Sequence, residues 1–156
     1  MKHALDFTVY GRAQQRGSKV PVRKRDGSVL LKSGNVILKD SNDKSVEWMR
    51  AVSDVAGRCW EGRPLLTAPV VLSATFYFKR PKLHYRTAKG REHELKDSAP
   101  FYHAQSPDVA KLVRSLEDAL TGVVWSDDKL VYMYRVIRRA WTTESERTEV
   151  LITWIE

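Results

Sequence analysis

The chain has 156 residues, 42% of them apolar, and a net charge of +8. That length is one domain's worth with a real core, the apolar share excludes a disordered chain, and no run approaches the roughly 20 apolar residues of a spanning helix. One cysteine, Cys59, excludes an internal disulfide, and four scattered histidines beside it give no zinc spacing. The opening MKHALDFTVYGR has no apolar signal segment, so a cytosolic location is expected. The surplus of positive charge suits a polyanion such as nucleic acid.

In chain order, residues 4–10 alternate apolar and polar and predict a strand. A basic loop follows, in which Arg12, Arg16, Lys19, Arg23, Lys24 and Arg25 precede the first acid, Asp26. It reads as a phosphate-contacting arm or as a solvated loop. The Gly-Lys-Ser/Thr ending of a P-loop is absent. Residues 29–39 predict a hairpin turning at Lys-Ser-Gly-Asn. Asp40 or Ser41 would then cap a helix over 46–60, with Val46, Met49, Val52, Val55, Ala56 and Cys59 on its buried stripe. Trp48 lies off that stripe and is expected to pack against a neighbouring element.

Residues 69–79, rich in β-branched and aromatic side chains, predict a central strand. A loop of about 25 residues comes next, a length that marks function or disorder. Around it lie Lys79, Arg80, Lys82, Arg86, Lys89 and Arg91, with Tyr85, Phe101 and Tyr102 among them, a mixture suited to phosphates and unstacked bases.

The segment SPDVAKLVRSLEDALTGVVWSDDK, residues 106–129, organises the chain. Val109, Leu112, Val113, Leu116, Ala119 and Leu120 keep a helical period, with Asp108, Lys111, Arg114, Ser115 and Asp118 on the opposite side. Pro107 suits a first turn and Gly122 the position past the helix end. Asp108 at the start and Asp127-Asp128 beyond the end could gather round a hard cation such as Mg²⁺ if the return strand packs on the helix, or serve as separate caps and turns. Residues 129–141 and 148–155 predict the last two strands, joined by the turn TTESER. The fold class expected is a single α+β domain over 1–156, a mainly antiparallel mixed sheet of four to six strands packed against two principal helices.

The 106–129 segment resembles the core motif of the RusA family of Holliday junction resolvases, which runs roughly Pro-Asp-x-Asp-Asn-Leu-x-Lys, then Asp-Ala-Leu, a Gly, a short apolar run and Asp-Asp. Pro107, Asp108, Leu112, Asp118-Ala119-Leu120, Gly122 and Asp127-Asp128 match it. Ala110 stands where the family has its second acid, Lys111 where Asn is usual, and Arg114 where Lys is usual. The stretch around Phe76 to Thr87, with Lys96-Asp97-Ser98-Ala99-Pro100, is similar to phage-encoded members, and Gly11 and Gly17 match a family turn.

The resemblance implies a Mg²⁺-dependent endodeoxyribonuclease (Mn²⁺ substituting) that resolves four-way junctions and other branched DNA as a homodimer, without a membrane, in a bacterial cell and encoded by host, phage or prophage. It assigns Asp108 and Asp128 as metal ligands with Asp127 beside them, Arg114 as the phosphate-stabilising cation, and Lys111 with the basic residues named above as DNA contacts. Adjacent strand residues point to opposite faces, so a regular strand would direct only one of Asp127 and Asp128 at the metal. Alanine at 110 offers no oxygen. An Asp-to-Ala replacement there, introduced by design or arisen naturally, predicts a chain that binds junctions but cuts them poorly. The competing reading is a branched-DNA-binding protein with no catalysis, which would gain nothing from carboxylates facing phosphate.

Overall fold

A computed structural model describes residues 1–155, for Asp40 the backbone alone. In chain order the elements are β1 (Lys2–Tyr10), β2 (Lys19–Pro21), β3 (Leu31–Lys32), β4 (Asn35–Val36), β5 (Leu38–Asp40), α1 (Asp43–Trp60), β6 (Val70–Lys79), α2 (Val109–Leu120), β7 (Val131–Thr142) and β8 (Arg147–Ile155). Four of the strands make one mixed sheet in the order β1-β8-β6-β7. β8 pairs antiparallel with both β1 and β6, while β6 and β7 run parallel. The parallel pair follows from the crossover: α2 lies between these strands in the chain, and a hairpin turn cannot join parallel neighbours. Among the described residues, no helix is long and apolar enough to cross a membrane.

The alternation read from the sequence decides which sheet face is buried. Leu5, Phe7 and Val9 of β1, Leu72, Ala74, Phe76 and Phe78 of β6, and Val150, Ile152 and Trp154 of β8 join the core. Each large apolar side chain removed from water there contributes about 1.5–3 kcal/mol. From the helices come Trp48, Val52, Ala56 and Trp60 of α1 and Leu112, Val113, Leu116, Ala119 and Leu120 of α2. The helices touch each other, and the Ser53 hydroxyl donates to the Ala119 carbonyl at 2.7 Å. On the opposite face, Lys2, Val71, Tyr132, Thr153 and Ile155 line an open depression of about 500 Å³.

The structure corrects several local expectations. The buried stripe of α1 is the ladder Trp48-Val52-Ala56-Trp60 with Ser45, so Val46 and Cys59 are exposed. Two indoles bury more apolar surface than the smaller side chains they displace, and they set the helix rotation. Trp48 packs against Phe76 as expected, with ring centroids 6.3 Å apart. The helix is preceded by Asn42 rather than capped by Asp40 or Ser41, and no side-chain cap bond forms. Pro107 precedes Asp108, the N-cap of α2, and so lies outside the first turn. Ser115 is buried, its hydroxyl bonded back to the Lys111 carbonyl at 3.0 Å. Gly122 has φ +79°, as suits a glycine just beyond a helix end.

The basic loop is an ordered finger. β2 pairs with β5 and β3 with β4, and the tip turns at Ser33-Gly34, both with positive φ. The Ser41 N–H donates to the Ser18 carbonyl at 3.1 Å and closes the base. Six basic residues, Lys19, Arg23, Lys24, Arg25, Lys32 and Lys39, project from the finger, and all are exposed.

Candidate functional site

Asp108 stands at the mouth of α2. Its Oδ1 accepts the Ala110 N–H at 2.8 Å, which satisfies one of the donors a helix leaves open at its start. Its own N–H donates to Oε1 of Gln15 at 2.8 Å. The preceding backbone is held from β7: the Arg139 guanidinium donates to the carbonyls of Gln105 and, at 2.8 Å, Pro107. Asp108, Lys111, Gln15 and Arg139 share an open groove of about 440 Å³. The carboxylate is exposed, so it keeps oxygen lone pairs for a ligand while fixed by its cap.

Around the helix lies a second depression of about 410 Å³, lined by Ala110, Val113, Arg114, Glu117, Tyr134 and Ile137. Position 110 is exposed and faces it, and Arg114 lies one turn further along α2. The Tyr134 hydroxyl donates to Oε1 of Glu117 at 2.6 Å. Burial holds the Glu117 carboxyl above its usual range; the Tyr134 bond opposes this, and the charges of Asp128 and Asp118 reinforce it. Burial first, then the bond to Glu117, pushes the Tyr134 phenol up to about 12.

Asp127 and Asp128 open a 3₁₀ turn, Asp128–Leu130, that leads into β7. Asp127 is its cap: Oδ1 accepts the Lys129 N–H at 3.0 Å, and Oδ2 pairs with the Lys129 ammonium at 3.2 Å. The bond from the Lys129 backbone, then the one from its side chain, holds the Asp127 carboxyl below the usual range. Asp128 is exposed, and its charge is felt at Glu117 and Tyr134. Glu117 lies nine residues beyond Asp108, about 13 Å of helical rise. Among the described residues, no group of three or more His, Cys, Asp and Glu side chains is gathered closely enough to hold a metal ion.

The basic residues divide into two sets. Arg12 pairs with Glu146 at 2.8 Å, Arg16 with Asp118, Arg86 with Asp97 at 2.9 Å and Arg91 with Glu94 at 2.5 Å. Arg80 donates to the Pro100 carbonyl and lies over the Trp141 ring, 5.4 Å from its centroid. Lys19, Arg23, Lys24, Arg25, Lys79, Lys82, Lys89 and Lys111 are exposed.

The long loop is moored by two of its three histidines. His84 and His103 are buried against Trp141, with ring centroids 5.1 and 4.1 Å away. Burial is also what lowers the His103 pKa. Phe101 and Tyr102 remain 81% and 77% exposed.

Sequence reasoning missed Gln15, Glu117, Tyr134 and Arg139. Glu117 alone carried a legible signal, since it lies seven residues from Ala110 and therefore on the same helical face. The others depend on contacts between distant parts of the chain.

Comparison with known proteins adds two findings. The profile of the family described as "Endodeoxyribonuclease RusA" matches residues 19–153. A Bacillus subtilis (strain 168) protein named "Uncharacterized protein YqaN" is 30% identical over 150 residues, covering 95% of this chain and 94% of that protein.

Proposed function

Because this chain belongs to the RusA family of endodeoxyribonucleases, we propose that it binds four-way junctions and other branched DNA in the bacterial cytoplasm and hydrolyses them with Mg²⁺, Mn²⁺ substituting. We further propose that Ala110 leaves the cutting step impaired. The observation that carries the reading is the arrangement at the start of α2. An exposed, capped Asp108 shares a groove with Lys111, and the basic finger is tied to the same place through Gln15.

Asp108 and Asp128 are assigned as the metal-holding carboxylates, with Asp127 assisting through whatever lone pairs its turn leaves. The donors are all oxygen and two of them are exposed, which fits a hard cation that retains most of its waters. They lack an oxygen at position 110 and, among the described residues, are not gathered into a group that could hold an ion, which fits weak binding. When bound, such a cation neutralises phosphate charge and activates water. Arg114 presents a planar guanidinium to a phosphate entering the depression beside Ala110. Lys111 and the finger supply positive charge that draws the backbone in.

Two opposed cuts require two sites, so the active unit is assigned as a two-fold homodimer. The uncovered sheet face, where Tyr132 and Ile155 are 64% and 72% exposed, is the apolar surface available for it. A second reading, a branched-DNA binder without catalysis, is favoured by two observations: the missing oxygen donor at 110 and, among the described residues, the lack of a gathered group of side chains able to hold a metal ion.

The test is competition of a labelled four-way junction against linear duplex over a salt series. Preference for the junction, with affinity falling steeply as salt rises, is the expected result. Equal affinity for both removes the junction assignment.

A further inference from the structure

Arg16 reaches 102 residues along the chain to pair with Asp118 on the third turn of α2, and both side chains are less than one-third exposed, at 31% and 28%. Its neighbour Gln15 accepts the N–H of Asp108 at the first turn. The Gln15 carbonyl in turn accepts from Asn42 Nδ2 at 2.9 Å, on the far side of the finger's base. Ala13 is buried at 2% exposure, and Arg12 is paired to Glu146. The finger therefore springs from a base fixed at both ends of α2's outer surface. Beyond this base the finger, residues 19–40, carries six basic residues against two acids, Asp26 and Asp40.

From this geometry we propose that Asp118 and Arg16 are positioning residues. Their ion pair, with the Gln15–Asp108 bond, clamps the finger so that its basic residues and the carboxylate at the mouth of α2 meet the same stretch of DNA backbone. The inference rests on the assignment of Asp108 as a site residue made above. It gives Asp118 a role unlike that of a metal ligand, because its carboxylate is turned to a guanidinium of this chain.

The clamp reverses the usual electrostatic expectation. Removing a carboxylate from a DNA-facing surface lowers repulsion and should tighten binding. If Asp118 holds the finger, Asp118→Asn instead weakens binding. A swinging finger no longer presents its cations at high effective concentration, and fewer counterions are released on contact.

The experiment compares the parent chain with Asp118→Asn, Arg16→Gln, Arg16→Lys and the double exchange Arg16→Asp with Asp118→Arg. Trypsin digestion without DNA reads the finger directly, since Arg23, Lys24 and Arg25 are exposed cleavage points. Cleavage should accelerate several-fold in the two single losses and return toward the parent rate in Arg16→Lys and in the exchange. Titration of a fluorescent four-way junction at several salt concentrations should show affinity falling about tenfold for Asp118→Asn with a shallower salt slope, and recovery in the exchange. Thermal unfolding of each variant confirms that the core is intact, and Arg16→Gln, outside the core, supports the comparison if Asp118→Asn is unstable.

Unchanged digestion, or tighter junction binding by Asp118→Asn with the parent's salt slope, overturns the clamp. If no protein in the series binds branched DNA, the functional assignment falls, while the digestion still decides whether the clamp exists.

Discussion

Replacing Ala110 with aspartate tests the chemistry most directly. Position 110 is exposed and is the second residue of α2, so the new side chain meets no steric obstacle from the core. A carboxylate in a first helical turn gains about 0.3–1 kcal/mol from the helix dipole. Repulsion from Asp108, two residues away, opposes this by a comparable amount, so in chelator the midpoint of thermal unfolding should barely move. With a divalent cation present the balance changes. If the restored site binds Mg²⁺ and the ion is supplied at about ten times its Kd, mass action stabilises the fold by about 1.4 kcal/mol. For a chain of this size that corresponds to a rise of about 3–6 °C in Tm. Mg²⁺-dependent cutting of a labelled four-way junction should rise by at least the ten- to hundredfold that the loss of even an outer supporting partner of a metal ion commonly costs. Parallel melting curves with and without Mg²⁺ for the two proteins, together with equal cutting, would refute position 110 as the vacant ligand place. If neither protein cuts, the non-catalytic reading takes over.

Two further predictions concern α2. Leu116 is fully buried between the helices and the sheet, so Leu116→Ala should destabilise the chain by about 2–5 kcal/mol in urea unfolding; a loss under 1 kcal/mol would mean that the contact is looser than described. Glu117, whose carboxyl is held above its usual value of 4.5, first by burial, ionises less readily folded than unfolded. Its contribution to stability is therefore lost as pH rises from about that value through the higher folded one. Glu117→Gln keeps an acceptor for the Tyr134 hydroxyl and removes this loss, so its Tm advantage over the parent should grow between pH 4 and pH 7. Superimposable differences at the two pH values would contradict the assignment.

Much of the fold is legible in the amino-acid sequence. The four long strands and two helices follow from periodicity, because each is long enough to repeat its pattern. What escaped did so for identifiable reasons. The β3–β4 hairpin was legible from its Lys-Ser-Gly-Asn turn, but β2 and its pairing with β5 were not, because strands of three residues are too short for alternation to be seen. The rotation of α1 was set by Trp48 and Trp60, whose bulk outweighed the smaller stripe that ended at Cys59. The parallel pairing of β6 and β7 depends on the path of the chain between them, which no local pattern encodes. At the site, Asp108 was legible as a helix cap and Asp127 as a turn residue, because capping is a local rule. Gln15 and Arg139 were not, because their partners lie 93 and 32–34 residues away.

The place of β8 in the sheet governs how this chain comes together during synthesis. β8 lies between β1 and β6, with Ile155 opposite Lys2 and Trp154 opposite Val70. Until residues 147–155 have left the ribosome, β1 has no neighbour, and β6 has only β7 on one side. The indoles of α1 and the apolar face of α2 then have only part of a surface to cover. Closure of β8 on β1 is the strand pairing of greatest sequence separation among the described residues, which predicts slow folding of the sheet. In the interval the nascent chain exposes apolar strand edges of the kind that general chaperones bind.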